Sequence, residues 1–261
     1  MNFKKIVIKI GTSTIADEKN GLPNLTRMTA IVKILAELKK SGTSIVIVSS
    51  GAIGIGAGKL GLLNQSKTIE QKQACASIGQ YALMNLYDDL FKKHNLLVSQ
   101  ILLTNNILNN TQSKLNSKNT FDVLLSSGII PIVNANDTVS TSELEFSDND
   151  TLASLVTSLI DADILIILTD LDGIYNKNPK TNSNAVLIKK INKIDKQIRK
   201  NVKGKPNFLG TGGMETKLKA AEFLSFKKIP TVILNGNFPD RIYSIFKKEI
   251  EGTLIDIANV F

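Results

Sequence analysis

Six stretches of the chain are almost wholly aliphatic or β-branched: residues 6–10, 44–48, 98–103, 129–134, 164–169 and 231–234. None alternates cleanly between apolar and polar positions, which is the pattern of parallel strands covered on both faces. Between them, apolar positions recur at helical spacing over residues 25–40, 69–93, 149–160, 213–226 and 240–248. Strands alternating with helices predict a doubly wound α/β fold, a three-layer sandwich with a mostly parallel central sheet flanked by helices. Residues 176–206, rich in Lys and Asn and containing Asn178-Pro179, read as an irregular excursion carrying a short hairpin near 186–194. With no internal repeat and no linker, residues 1–261 are expected to form a single domain, an ordinary size for this class.

In such sheets ligands bind beyond the carboxyl ends of the strands, so the residues there carry the functional argument. The first apolar run contains Lys9, just before Gly11-Thr12-Ser13. A lysine in a buried strand costs several kcal/mol unless it faces an anion; the alternative is a stem that snorkels out of the strand end. The second run leads into Ser49-Ser50-Gly51-Ala52, where small residues let backbone N–H groups approach a ligand. The fifth ends in Thr169-Asp170-Leu171-Asp172-Gly173, a polar turn with a glycine free to take positive φ. The fourth opens the most polar part of the chain, V-N-A-N-D-T-V-S-T-S-E-L-E-F-S-D-N-D-T-L-A over residues 133–153. Its amides, Asn134, Asn136 and Asn149, both donate and accept, whereas Asp137, Asp148 and Asp150 only accept. That mixture suits a zwitterion bearing an ammonium and a carboxylate. Taken alone, the same stretch reads equally as a solvated loop with Asx turns and a helix cap.

Two glycine-rich segments invite a phosphate reading. Gly210-Thr211-Gly212-Gly213-Met214-Glu215-Thr216-Lys217 stands directly before a helical pattern. Glycines at a helix start form a cradle of backbone N–H groups, and Lys217 falls about one turn into the helix with its charge near the same place. It is not a Walker loop, since Thr216 rather than glycine precedes the lysine. Residues 56–61, G-A-G-K-L-G, match G-x-G-x-x-G but do not directly follow the strand ending at Val48, and no acidic residue sits in the ribose-binding context. A tight glycine turn is expected there rather than a dinucleotide site.

Composition narrows the chemistry. Hydrophobic residues at 43% and charged residues at 21% provide for a large core. The lone cysteine, Cys75, sits among Ala74, Ala76 and Ile78 and is expected to be a buried structural thiol. One cysteine and one histidine, His94, exclude a zinc site or a Ser-His-Asp triad. The net charge of +9 raises the question of nucleic acid, but Arg27, Arg199 and Arg241 are the only arginines and the lysines are scattered along helices. Solvated faces account for them better, and the positive field would concentrate small anionic substrates. Lys9 interrupts the N-terminal apolar run before it could act as a signal, and no stretch of roughly 18 residues is continuously apolar, as a spanning helix requires. A reducing, cytoplasmic setting is expected, without membrane or nucleic-acid partners.

The motifs together carry a resemblance. Residues 8–13, 48–53, Asn134-Ala135-Asn136-Asp137, residues 147–152, Leu168-Thr169-Asp170 and residues 210–217 resemble, in order and over nearly the whole chain, the successive motifs of the glutamate 5-kinases, a group within the amino acid kinase family. Many relatives continue into a C-terminal PUA domain, whereas this chain stops at Phe261, so a short form consisting of the catalytic domain is expected. The resemblance implies transfer of the ATP γ-phosphoryl to the side-chain carboxylate of L-glutamate, the first step of proline biosynthesis. It implies catalytic roles for Lys9, Lys217 and Asp150, and glutamate binding by Ser50, Gly51, Asn134, Asp137 and Asn149. ATP would be bound by Lys9, Gly11, Thr169, Asp170, Thr211, Gly212, Gly213, Met214, Glu215, Thr216 and Lys217, with Gly11, Gly51 and Gly213 offering backbone N–H donors. Mg²⁺ would be held mainly through ATP phosphates, with no protein ligand assigned. Proline feedback inhibition, a homo-oligomer and a partnership with glutamyl phosphate reductase are further implications. The readings still open are a related kinase acting on another small acid, such as N-acetylglutamate or aspartate, and a nucleotide-binding regulator without catalysis.

Overall fold

The computed structural model describes residues 3–17, 19–63, 65, 67–104, 110–139, 149–179, 181–202 and 213–261. Its centre is an eight-stranded sheet in the order β3-β4-β2-β1-β5-β7-β8-β6. The strands are β1 (Lys5–Ile10), β2 (Ser44–Ser49), β3 (Val98–Leu103), β4 (Ile130–Ala135), β5 (Ile164–Thr169), β6 (Lys190–Ile191), β7 (Thr231–Asn235) and β8 (Thr253–Ile255). All neighbouring pairs are parallel except β7 with β8. The expected three-layer sandwich is therefore present. The helices are α1 (Thr12–Ile15), α2 (Leu25–Lys40), α3 (Ala52–Lys59), α4 (Ile69–Lys92), α5 (Thr111–Ser126), α6 (Asn149–Leu159), α7 (Lys196–Val202), α8 (Met214–Ser225) and α9 (Ile242–Lys247).

The absence of alternation has its physical reason in two cores. Ile6, Ile8 and Ile10 of β1 face one cluster with Ile31 and Leu35 of α2 and with Leu83 and Tyr87 of α4. Val7 faces the other, with Leu152 and Val156 of α6 and with Leu218 and Leu224 of α8. Side chains alternate across a strand, so Lys9 falls on the α6 and α8 face with Val7. Its register partners are Val48 on β2 and Ile167 on β5, which puts it at the middle of the sheet. From β1 the chain steps outward to β2 on one side and β5 on the other, the arrangement that opens a crevice at the carboxyl ends of the central strands.

Two expectations need correction, and one helix was not expected. Residues 56–61 are not a tight turn: Gly56 and Gly58 lie inside α3. Their missing side chains permit close packing, since a Cβ on Gly56 would sit 1.8 Å from the Cys75 carbonyl oxygen of α4 and one on Gly79 of α4 would sit 1.8 Å from the Ala52 carbonyl oxygen. The segment 186–194 is not a local hairpin. Leu187 bridges to Tyr175, and β6 pairs in parallel with β8, far away in sequence. Helix α5 was given by no apolar stripe, because Phe121 is its only fully buried residue.

Candidate active site

The carboxyl end of β1 meets the first turns of α6 and α8 at one carboxylate. Lys9 Nζ lies 2.8 Å from Asp150 Oδ1, and Lys217 Nζ lies 3.0 Å from Asp150 Oδ2. Thr216 Oγ1 is 2.8 Å from the same Oδ2 and 2.8 Å from the Gly213 carbonyl oxygen. All three ionisable residues are buried, with Lys9 at 6%, Lys217 at 4% and Asp150 at 0% exposure. Burial pushes the Asp150 carboxyl up, but the ammonium groups of Lys9 and Lys217, with a hydrogen bond from Thr216, outweigh it and hold the group well below the usual carboxylate range. Its place in the first turn of α6 adds the positive end of the helix dipole. Two ammonium groups converge on one carboxylate beside the starts of two helices, where backbone N–H groups favour anions.

Of the three amides expected to hold a zwitterion, Asn134 and Asn149 converge next to it, whereas Asn136 Oδ1 accepts from Thr138 Oγ1 at 2.7 Å. Asn149 Nδ2 is 2.9 Å from Ser50 Oγ, 3.2 Å from the Ser49 carbonyl oxygen and 3.2 Å from Asn134 Oδ1. Asn134 donates through Nδ2 to Gln80 Oε1 at 2.8 Å, while its Oδ1 accepts from the Ala135 N–H at 2.9 Å. Gly51 takes φ +94° as the N-cap of α3, a backbone state that favours glycine and turns the chain sharply just after Ser50. Ser49 Oγ and Tyr87 OH, 3.0 Å apart, fix the end of β2 to α4. Asp137 is buried beyond the end of β4. Thus Ser50, Gly51, Asn134 and Asn149 come together from β2, β4 and α6.

At the neighbouring strand end, Thr169 Oγ1 donates to Asp170 Oδ1 at 3.2 Å, and the Thr169 carbonyl accepts from the Gly236 N–H at 2.8 Å. Gly11 corrects one expectation: its N–H donates to the Leu168 carbonyl at 3.2 Å and so serves the sheet rather than a ligand. A side chain there would still intrude, since its Cβ would lie 3.7 Å from Lys9 Nζ. Gly213 caps α8, followed by Met214 and by Glu215, whose carboxylate pairs with Lys219 at 3.1 Å. Thr211 and Gly212 lie outside the described residues, as do Ser147 and Asp148.

Two features escaped the sequence reading. Gln80 completes the Asn134 hydrogen bonding, and its signal was present: it occupies the stripe of Ala76, Leu83, Tyr87 and Leu90, where a glutamine on a buried helix face asks for a partner. Asp172 is held by Asn235 Nδ2 at 3.1 Å, by Tyr175 OH at 2.9 Å and by the Arg241 guanidinium. Burial raises its carboxyl, and these hydrogen bonds bring it below the ordinary range. This network ties the turn after β5 to β7 and to the 3-10 turn Pro239–Arg241. For a divalent cation, no group of three or more His, Cys, Asp or Glu side chains is found among the described residues. Asp150 meets an ammonium on each oxygen, so the donor set fits a cation held mainly by phosphate oxygens and water.

The family model described as the amino acid kinase family matches residues 4–235. The glutamate 5-kinase of Clostridium acetobutylicum is 46% identical over 253 residues, covering 97% of this chain and 94% of that protein. The glutamate 5-kinase of Clostridium perfringens is 43% identical, covering 96% and 94%. That of Carboxydothermus hydrogenoformans is 40% identical over 97% of this chain but only 68% of its own length. Among solved structures, an isopentenyl phosphate kinase of T. acidophilum aligns over 96% of this chain and 99% of that chain, with a TM-score of 0.66 at 20% identity. A UMP kinase of Ureaplasma parvum aligns over 98% and 100%, with a TM-score of 0.68 at 14% identity. At those identities the likeness is one of fold. The chain belongs to the amino acid kinase family and, within it, groups with the glutamate 5-kinases.

Proposed function

We propose that this chain transfers the γ-phosphoryl group of ATP to the side-chain carboxylate of L-glutamate, forming L-glutamyl 5-phosphate for proline biosynthesis. The observation that carries the reading is the buried Lys9–Asp150–Lys217 bridge at the carboxyl end of β1. A glutamate side chain, with a pKa of about 4.3, is already ionised at neutral pH, so the acceptor needs no general base. The barrier is the approach of two anions: like unit charges 4 Å apart repel by about 4 kcal/mol at an effective dielectric of 20. Catalysis then rests on fixed positive charge and positioning, as is general for phosphoryl transfer.

In this reading Lys9 and Lys217 stabilise the transferring group, and Asp150 holds both ammonium groups in place. Ser50, Gly51, Asn134 and Asn149 receive the amino acid, with Asp137 as the partner of its ammonium. Thr169, Asp170 and residues 211–217 bind ATP, which brings Mg²⁺ on its phosphates. A lysine pair bridged through one carboxylate supports a phosphoryl-transfer site over a nucleotide sensor, which has no moving charge to stabilise. ATP as co-substrate and a single buried thiol suit a cytoplasmic enzyme, and no described helix is long and apolar enough to cross a membrane. A homo-oligomer is supported by exposed Leu97 and Leu102 at the β3 edge of the sheet and by Tyr81 on α4. Proline as feedback inhibitor and glutamyl phosphate reductase as functional partner complete the proposal, since an acyl phosphate is lost to water unless promptly consumed. The test is ADP release with and without L-glutamate, the acyl phosphate being trapped by hydroxylamine. Glutamate-dependent release with hydroxamate formation is expected; release that ignores glutamate but responds to N-acetylglutamate or aspartate contradicts it.

A further inference from the structure

Helix α4 contributes one polar group to the amide cluster. Gln80 Oε1 accepts from Asn134 Nδ2 at 2.8 Å, and this sets which way the Asn134 carboxamide faces. With Nδ2 turned to Gln80, Asn134 Oδ1 is presented to the Ala135 N–H and to Asn149 Nδ2, which also meets Ser50 Oγ. The other end of the Gln80 carboxamide gains nothing comparable, because Nε2 is buried and finds no acceptor among the described residues. A buried donor without a partner is a cost to folding, so stability alone does not favour glutamine at this position. The position itself is fixed by packing: the preceding residue, Gly79, lies against the Ala52 backbone, one residue after the Gly51 turn. Gln80 thereby links α4 to side chains of β4, α6 and the end of β2.

We propose that Gln80 is a positioning residue for the amino-acid substrate, acting through Asn134 by holding its carboxamide in the orientation that organises Asn149 and Ser50. The inference rests on the reading of Asn134, Asn149 and Ser50 as the glutamate site. Gln80→Met keeps the bulk of the side chain and removes the acceptor. It also exchanges the stranded donor of Gln80 for one on Asn134, so the melting temperature is expected to move little. The glutamate KM is expected to rise about tenfold, with the ATP KM unchanged. In the Asn134→Ala background the same change should add nothing, because the group through which Gln80 acts is gone.

A folded Gln80→Met enzyme with unchanged glutamate KM, or with both KM values raised alike, overturns the proposal, and so does an additive effect on top of Asn134→Ala. Should the methionine variant melt below assay temperature, Gln80→Leu is measured in its place; if that also unfolds, the residue is a structural prop and the positioning role is wrong. Asn134→Ala alone separates the two layers. If it leaves the glutamate KM unaltered, the site reading itself fails; if it raises that KM while Gln80→Met does not, only the role of Gln80 fails.

Discussion

Lys9 and Lys217, from opposite ends of the chain, bind the two oxygens of one carboxylate: Lys9 Nζ is 2.8 Å from Asp150 Oδ1 and Lys217 Nζ is 3.0 Å from Oδ2. The pair joins a central strand to a helix that packs on α6, so the fold's long-range topology is what assembles the charge cluster. A buried ion cluster of this kind is weak evidence for stability, since desolvation offsets most of the Coulomb gain. Two buried ammonium groups meeting beside two helix starts are better explained by an anionic ligand than by stability.

The first prediction concerns pH. The folded Asp150 carboxyl lies below its unfolded value near 3.9, so its contribution to stability is fully present above about pH 4. It is lost as pH falls below that value and through the depressed folded pKa. The melting-temperature advantage of the wild type over Asp150→Asn should therefore be flat at neutral pH and shrink below about pH 4. An advantage that vanishes already between pH 5 and 7 would show that another group carries it.

Asp137→Ala should raise the glutamate KM far more than the ATP KM, because a substrate ammonium would lose its buried acidic partner. Steady-state kinetics with each substrate varied at saturation of the other checks this. Equal effects on the two constants would remove Asp137 from the amino-acid site.

Gly79→Ala should destabilise by roughly 1–3 kcal/mol, as overpacking at a tight contact does. Its Cβ would sit 1.8 Å from the Ala52 carbonyl, forcing α3 away from α4. Because Ala52 directly follows Gly51, the glutamate KM should rise as well. Urea unfolding measures the first effect; an unchanged midpoint would mean that the two helices separate freely.

What the sequence could reveal depended on how local the cause was. Strands β1, β2 and β5 were legible because both faces are buried and their residues form almost wholly aliphatic runs, interrupted in β1 by Lys9. Helix α3 was obscured by glycines whose reason is the approach of α4, a contact made only in the folded chain. Strand β8 is three residues long, and β6 finds its partner there rather than nearby, so neither carries a local signal. The lysines and the polar segment after β4 stood out because charge and amides are costly where sheet and helix meet. Gln80 did not, since one polar residue on an apolar stripe acquires meaning only when Asn134 is seen opposite it. Gly11 was misjudged for a similar reason: whether an N–H is free depends on a carbonyl of β5.

The most direct measurement of the central claim is kcat for Lys9→Ala and Lys217→Ala at saturating ATP and L-glutamate, read as trapped glutamyl hydroxamate, with folding verified by thermal melt. Each substitution should lower kcat by about 10²–10³, with the glutamate KM little changed, as expected for loss of one preorganised contact to a developing charge. The double variant should lose less than the product of the single effects, because both lysines act on one phosphoryl group. A folded single variant with near-normal kcat would contradict the account, leaving that lysine a buried counter-ion of Asp150 with no part in the transfer.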